Sequence, residues 1–408
     1  MNLKQLGILL VIVVIVAGAG LMLRNHQNAS WTSSDAEVGK KLLGDFPFND
    51  VARISIRHGT NELDLEKKND LWRVRERGDY PANFPQISEF LLKLRDLKIV
   101  QSEKAGPAEL TRLELAPGQG TNSATVVEFA DQSDKPIRTL LVGKKHMKKS
   151  AAPSQFEGEE GFADGRFVKA GTNSPNVALI SDPLDNVDAA PPQWLSKDFI
   201  HVEKPKSIEA IFPIATNSWK LTRPSESGEW KLTDARTGEE LDSSKTSGVT
   251  TPFSSANFTD VLPQSKSDQL GTNKPTVVKI ETFDDFAYTF NIGAKTNDDY
   301  LVTISITANF PARPIGVNEK PEDKPKIDKI YNDAQQKLKD KFEQEQACEN
   351  WTYLMPSWEV DSLLKGRSEL LAEKKEEPKK EESKPSTGNP SEKSTETNQP
   401  QSAKPAAP

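Results

Sequence analysis

The sequence predicts an α+β fold in which an N-terminal transmembrane helix is followed by two tandem β-rich units. Three observations carry this prediction. Short stretches alternate apolar and polar residues as half-buried strands do, one segment has apolar residues at helical spacing, and the alternating pattern recurs about 150 residues further along the chain. Each unit, called a repeat below, is therefore predicted to combine an antiparallel meander, one amphipathic helix and further strands.

Composition limits the classes of function that the chain can serve. The 408 residues include 53 Lys and Arg against 60 Asp and Glu, so the formal net charge is −7. An acidic chain does not attract the phosphates of a nucleic acid, and we expect no nucleic-acid partner. A single cysteine, Cys348, cannot form an intramolecular disulfide, and with four histidines it does not make the usual zinc set. We expect no metal site and no cofactor.

An uninterrupted apolar run near the N-terminus is long enough to cross a membrane. Residues 6–23 contain no charged side chain, and a helix of this length spans about 27 Å. Lys4 precedes the run and Arg24 ends it. The small residues Ala17–Ala19 would suit a signal-peptide cleavage site, but more apolar chain follows them, which favours an uncleaved anchor. Residues 1–5 are then cytoplasmic, and the bulk lies on the extracytoplasmic, periplasmic side of the inner membrane.

The exported part is predicted to begin with a stalk and a first repeat. Residues 24–45 are polar and lack a sustained period, which is typical of a spacer. The first repeat is placed at residues 46–198. A helix is predicted at Pro85–Leu97, where apolar residues recur at spacings of three and four. The predicted strands of this repeat are Val51–Ile56, Leu63–Glu66, Leu71–Val74, Thr125–Phe129, Ile137–Val142, Arg166–Lys169 and Val177–Ile180.

A second repeat is predicted at residues 199–372 because the same pattern returns there. Leu63 lies nine residues before Trp72, and Leu221 lies nine residues before Trp230. The two tryptophans are therefore predicted to be equivalent. The strands predicted for this repeat are Ile208–Ile211, Ser218–Leu221, Glu229–Leu232, Thr276–Ile280, Tyr300–Ile306 and Trp351–Met355.

A helical insertion and a polar tail distinguish the second repeat. Residues 311–350 have no counterpart in the first repeat, and a helix is predicted from about Lys326 to Gln346 with one apolar stripe. The stripe either docks on its own repeat or forms an arm that contacts a partner or a second copy. Its residues are Ile327, Ile330, Ala334, Leu338 and Phe342. Residues 373–408 are rich in Lys, Glu, Pro and Ser without aromatic residues, so this tail is predicted to be disordered.

Together these features resemble a known family. The combination is a short membrane segment, Leu63-Asp64-Leu65, Trp72-Arg73-Val74, an amphipathic helix and Leu141-Val142-Gly143, arranged twice. It is similar to a bacterial domain-of-unknown-function family of single-pass exported proteins, often encoded beside gliding-motility-type ABC transporter components. The resemblance covers about Phe46 to Leu371. It implies an extracytoplasmic accessory protein whose partners are envelope membrane proteins, including ABC transporter subunits, and it supplies no catalytic residues.

Four tryptophans are candidates for a ligand platform. A tryptophan on a meander either stacks on a ligand or anchors the core. Leu71, Val74 and Leu232 flank the first two tryptophans with the alternation of a buried face, so the core role is predicted. The four residues are Trp72, Trp230, Trp351 and Trp358.

Two charged clusters are candidates for ion or lipid contacts. A group of acidic and amide side chains has oxygen ligands that could suit Ca²⁺, but it lacks the EF-hand spacing and favours a turn. These residues are Asp182, Asp185, Asn186 and Asp188. A basic run after Gly143 could approach anionic lipid, but a solvated hairpin loop is the simpler interpretation. This run contains Lys144, Lys145, His146, Met147, Lys148 and Lys149.

No set of side chains in the sequence predicts catalysis. There is no G-x-S-x-G elbow, and Cys348 lies in the polar insertion. The adjacent pairs Asp284-Asp285 and Asp298-Asp299 would point to opposite faces of a strand, so turn positions are predicted instead. We expect a non-enzymatic, membrane-anchored accessory or scaffold protein. The alternative is an exported ligand-binding or hydrolytic protein with its site between the two repeats.

The predicted anchor has a direct test. If residues 6–23 remain attached, the mature protein keeps its N-terminus and resists extraction from membranes by high salt or alkaline carbonate, because an inserted helix leaves only when the bilayer is dissolved. Fractionation and N-terminal sequencing measure both properties. A mature N-terminus near Gly20 in a soluble periplasmic fraction would contradict the anchor.

Overall fold

The computed structural model describes residues 37–118, 120, 122–148, 161–263, 274–314 and 319–373. Two antiparallel sheets lie in one body that ends at Leu371. The predicted α+β class with two β-rich repeats is therefore confirmed. Within the described ranges, no helix combines the length and apolar character that a membrane crossing needs. The predicted span at residues 6–23 and the tail from residue 374 lie outside those ranges.

The first repeat forms a nine-stranded sheet in which all neighbouring strands are antiparallel. The order is β4-β3-β2-β1-β6-β7-β8-β9-β5. The meander and the four later strands were predicted, whereas β4 and β5 were not. The bounds are β1 Arg53–His58, β2 Asn61–Lys68, β3 Leu71–Val74, β4 Tyr80–Pro81, β5 Ile99–Lys104, β6 Thr125–Ala130, β7 Pro136–Lys148, β8 Phe162–Ala170 and β9 Asn176–Ile180.

The second repeat forms an eight-stranded antiparallel sheet of the same topology. Its order is β12-β11-β10-β14-β15-β16-β17-β13, which matches the first sheet strand for strand except that β4 has no counterpart. Shared strand order is strong support for an internal duplication. The bounds are β10 Pro205–Ile211, β11 Trp219–Thr222, β12 Lys231–Leu232, β13 Asp260–Pro263, β14 Thr276–Thr282, β15 Phe286–Thr296, β16 Asp299–Ala308 and β17 Trp351–Pro356.

Helices cover the sheets differently in the two repeats. In the first repeat, α1 begins after Asn83, whose side chain accepts a hydrogen bond from Gln86 N at 3.2 Å, and it packs Phe90 against Phe129 of β6. Only one short turn, α3, takes the corresponding place in the second repeat. The helices are α1 Phe84–Asp96, α2 Pro107–Arg112, α3 Ser243–Thr246, α4 Lys324–Gln346 and α5 Ser357–Val360.

The predicted insertion helix is α4, and its apolar stripe divides into two halves. Leu338 and Phe342 pack on the core of the second sheet, and buried Glu345 accepts a 2.7 Å hydrogen bond from the hydroxyl of Tyr288. Ile327 and Ile330 are exposed. The C-terminal half of the helix thus docks on its own repeat, while the N-terminal half leaves its stripe in solvent.

The predicted stalk extends too far. Leu42 and Leu43 are buried, and Phe46 meets Phe129 edge to face with ring centroids 5.2 Å apart. The backbone of Gly39 donates to Ile99 O, so the chain runs beside β5 from this point. Residues 37–45 therefore belong to the folded body. The spacing signal missed them because two adjacent leucines and one phenylalanine show no period.

The strand pairings correct the alignment of the two meanders. Leu65 pairs with both Ile54 and Val74, and Leu221 pairs with Ile208 and Leu232. Leu65, not Leu63, is thus the equivalent of Leu221. The loop before β12 is two residues longer than the loop before β3. The nine-residue spacing found in both repeats therefore related Leu63 to Leu221, which occupy different positions in their sheets.

The four tryptophans do not all anchor the core. Trp72 is buried, as predicted. Trp230 holds the same place relative to its strand, but it is half-buried under the Arg223 guanidinium, 4.9 Å from the ring centre. Trp351 is half-buried, and Trp358 on α5 is 69% exposed. The prediction is wrong for Trp358 because a one-turn helix carries it away from the sheet.

Tryptophan substitutions should separate these environments. Trp72→Ala should lower the free energy of unfolding by about 3–5 kcal/mol, since it leaves a cavity in the core. Trp230→Ala should cost about 1–2 kcal/mol, because part of the ring is already solvated and one cation-π contact is lost. Denaturant unfolding of the purified variants measures both. Trp358→Ala is the matched control and should change stability by less than about 0.5 kcal/mol; equal losses at all three positions would contradict this assignment.

Candidate functional site

The acidic cluster after β9 forms a turn. Asp182 accepts from Leu184 N at 2.7 Å and pairs with Lys93, Asp188 accepts from Ala190 N, and Asp185 pairs with Lys145. Over the described part of the chain, no three His, Cys, Asp or Glu side chains are grouped as metal ligands would be. The carboxylates of this cluster bond to the backbone of the loop and to lysines of α1 and β7.

The basic run is not a hairpin loop. β7 continues through Lys148, and its end pairs with β8, with Lys145 opposite Arg166 and His146 opposite Gly165. His146 Nδ1 lies 2.5 Å from Asp164 Oδ1, and this contact holds the pKa of the Asp164 carboxyl below its usual range. Lys149 lies outside the described residues. The loop prediction is wrong because bulges allow a long strand to include consecutive charged residues.

The remaining chemical candidates have structural roles. Asp285 has φ +59° between β14 and β15, and Asp284 pairs with Lys204 at 3.1 Å. Asp299 begins β16 and accepts from the Thr259 hydroxyl. Burial raises the pKa of the Cys348 thiol to about 11, which keeps it protonated and a poor nucleophile near neutral pH.

The junction between the repeats is filled by side chains. Tyr80 of β4 meets Trp351 and Phe258 edge to face, with ring centroids 4.8 and 5.8 Å away. Trp194 in the connection is fully buried and donates from Nε1 to Asp188 O at 2.9 Å. Buried side chains of both sheets therefore form one continuous core.

An ion pair closes the same junction at its rim. The Arg77 guanidinium donates from Nε to Asp260 Oδ1 at 2.6 Å and from Nη2 to Oδ2 at 2.8 Å. Beside it, Lys197 donates to Phe258 O, and burial lowers the pKa of its ammonium group. Two parallel bonds give the pair a fixed orientation as well as charge attraction. Sequence reasoning could not find it, since 183 residues separate the partners.

A narrow apolar cleft lies beside β5, at the far edge of the first sheet. It holds about 320 Å³ of empty space with its mouth included, between α2 and the strands β5, β8 and β9. Leu113, Phe167 and Val177 line it with apolar surface, and the charged side chains of Glu103, Lys104 and Glu109 border it. Water-sized spheres can be centred in only about 20 Å³ of it, which is too little for a larger organic ligand.

Glu103 is the unusual group of this cleft. One of its oxygens accepts a hydrogen bond from the Gln101 side chain, while Oε2 is buried and has no hydrogen-bond partner in the described structure. Buried carboxylate oxygens are normally paired because desolvation without a partner is costly. No sequence pattern indicated this site, because β5 was not predicted as a strand.

The geometry thus defines a duplicated two-sheet protein with a packed junction and a partly covered sheet edge. A scan against protein families matches residues 72–275 to the domain of unknown function DUF4340. The match spans half of the chain, so the chain belongs to this family. It reaches from β3 to the last residue before β14 and includes β5, the cleft and part of the junction, with Tyr80, Phe258 and the pair of Arg77 and Asp260. Neither the curated proteins nor the solved structures gave a match.

The junction ion pair should be measurable by a double-mutant cycle. Arg77→Ala, Asp260→Ala and the double variant should give a coupling free energy of about 1–3 kcal/mol, because both side chains are mostly buried and bonded twice. The exposed pair Arg57 and Glu128 is the control, and its coupling should stay below about 1 kcal/mol. Denaturant unfolding reports both cycles. A coupling at Arg77 no larger than that of the control would refute a special role for the junction pair.

Proposed function

We propose that the chain is a membrane-anchored extracytoplasmic accessory or scaffold protein that serves an ABC-type transport or envelope assembly. In this proposal residues 6–23 hold the protein in the inner membrane, and the two-sheet body binds other envelope proteins. No reaction is assigned to it.

The observation that supports this proposal is the position of the N-terminal segment on the folded body. Residues 37–46 are fixed along β5 and under the core, and residues 24–36 connect this point to the proposed anchor. Thirteen residues reach at most about 45 Å when fully extended. The β5 side of the body would therefore stay close to the bilayer, where extracytoplasmic parts of membrane proteins are within its range.

The packed junction favours a scaffold over a protein that closes around a ligand. Aromatic contacts around Tyr80 and the bidentate pair of Arg77 with Asp260 join the repeats over a continuous core. A hydrolytic or ligand-binding site between the repeats would need an opening at this place, and the side chains there are in contact with one another. A rigid double repeat is suited to hold two surfaces at a fixed separation.

The test is recovery of partners from membranes. Affinity purification of the tagged full chain after mild solubilisation should yield one or more membrane proteins in near-stoichiometric amounts, because a scaffold is held in its assembly. A chain whose residues 6–23 are replaced by a cleavable signal sequence is the control that separates tethering from binding. Repeated recovery of the protein alone, even after crosslinking, would count against the proposal.

A further inference from the structure

The first turns of α4 are tied to the segment that precedes them. We call this part, residues 323–334, the arm. Arg313, whose side chain is only 12% exposed, contacts Asp328 Oδ1 through Nε at 2.6 Å and donates from both Nη atoms to the Glu319 carboxylate. The hydroxyl of Tyr331 donates to Pro311 O at 2.7 Å. A short helix is marginal in water by itself, so these bonds keep the arm in one conformation.

The arm exposes its apolar side chains along one line, called the seam below. Ile327 is 39% exposed and Ile330 is 62% exposed, and Ala334 is exposed as well. Residues three and four apart lie on one face of a helix, so the three side chains are neighbours. Apolar residues at alternating spacings of three and four are typical of helices that pair with another helix. The seam thus has the pattern of a paired helix, and the described chain leaves it in solvent.

Charges of opposite sign flank the seam at matching places. Lys326 stands directly before Ile327, and Asp333 stands directly before Ala334, so the two charges lie on the same flank about two turns apart. Both side chains belong to exposed residues. Over the part of the chain that the structure describes, no ion pair joins Lys326 or Asp333 to another residue. One flank of the seam therefore carries a basic and an acidic group in a fixed order.

We propose that the arm pairs with the arm of a second copy as two antiparallel helices, an inference that rests on the membrane anchor of the proposed function. Ile327 of each copy packs on Ile330 of the other, and Lys326 of each copy forms an ion pair with Asp333 of the other. The pattern is its own complement, because a two-fold axis between Ile327 and Ile330 reverses the order of the flank. Each charge then meets its opposite, as a self-complementary two-fold interface requires.

The charges at the two ends of the seam set the direction of the pairing. Asp323 precedes Ile327 by four residues, and Lys337 follows Ala334 by three, so both lie in line with the seam. A parallel pair would place Asp323 beside Asp323 of the second copy and Lys337 beside its equivalent, and contacts between like charges are destabilising. An antiparallel pair separates these groups and brings each Asp323 towards the Lys337 end of the other helix.

The charge balance and the size of the seam favour a second copy on the same membrane. A helix that lies on anionic lipid is strongly basic, whereas Asp323 and Asp333 offset most of the charge of the lysines that border this seam. These lysines are Lys324, Lys326 and Lys337. About three helical turns bury far less than the roughly 800 Å² per partner of a stable protein interface. The contact is therefore weak between free molecules, and anchoring in one bilayer supplies the local concentration that pairing needs.

Energy transfer between labelled full chains in vesicles tests the pairing. Donor- and acceptor-labelled protein is reconstituted in phosphatidylcholine–phosphatidylglycerol vesicles at several protein-to-lipid ratios, and transfer above that of a random mixture measures the association. Lys326→Glu or Asp333→Lys alone should weaken the association about fivefold or more, since two ion pairs become like-charge contacts. The double variant should restore it to within about twofold of the parent. Lys231→Glu, the same change at an exposed residue of β12, is the matched control and should have no effect.

The charge exchange and a crosslink decide the result. The varied residues are exposed, so each variant should keep the unfolding midpoint of the parent. A parent without excess transfer, or a double variant that associates no better than the single ones, overturns the inference. A photo-crosslinking amino acid in place of Ile330 should yield a dimer of the chain in cells. Crosslinks to a different protein or to lipid instead would show that the seam has another occupant, and the assignment to a second copy would be wrong.

The inference and the proposed function can fail separately. Membrane partners recovered with the full chain, together with no excess energy transfer, would reject the pairing and leave the scaffold function standing. Pairing that follows the charge exchange, without any recovered partner, would reject the scaffold function and keep the pairing. If the mature protein proves to be soluble, vesicles that hold it through an N-terminal His tag and a nickel-chelating lipid give the same measurement, and the same outcomes decide it.

Discussion

The covering of sheet edges is the constraint on which the arrangement of this protein depends. An edge strand leaves unpaired backbone groups, and natural proteins shield them with charges, turns or neighbouring segments. Here the second sheet has its β13 edge shielded by the first repeat, through Arg77 on Asp260 and Gly78 on Pro263. This contact and the aromatic cluster around Tyr80 together join the two repeats over a continuous core.

The same constraint is met by a different device at β5. The N-terminal segment covers the start of that strand and buries Leu42 and Leu43, so the part of the chain that leads toward the proposed anchor also stabilises the first sheet. Among the segments that the structure describes, none pairs with the open side of β5 past Ser102.

The two repeats have sheets of the same strand order, but different helices cover these sheets. In the first repeat Phe90 of α1 packs on the sheet. In the second repeat Leu338 and Phe342, in the C-terminal half of α4, pack on the sheet instead. A sheet with one apolar face requires a cover but does not specify which segment provides it. The insertion at residues 311–350 could therefore take over this role while its first turns remained in solvent.

The sequence by itself determined the elements whose side chains follow a period: the meanders, the strands β14 and β16, α1 and α4. Alternation and helical spacing report which side of a local element faces the core. Only the tertiary structure decided the rest. β5 has only two apolar residues, Ile99 and Val100, before four polar ones, and β13 is four residues long. The loop before β12 gained two residues, and Arg77 meets its partner 183 residues away. These features depend on distant segments that come together in the folded chain, and no local pattern encodes such a contact.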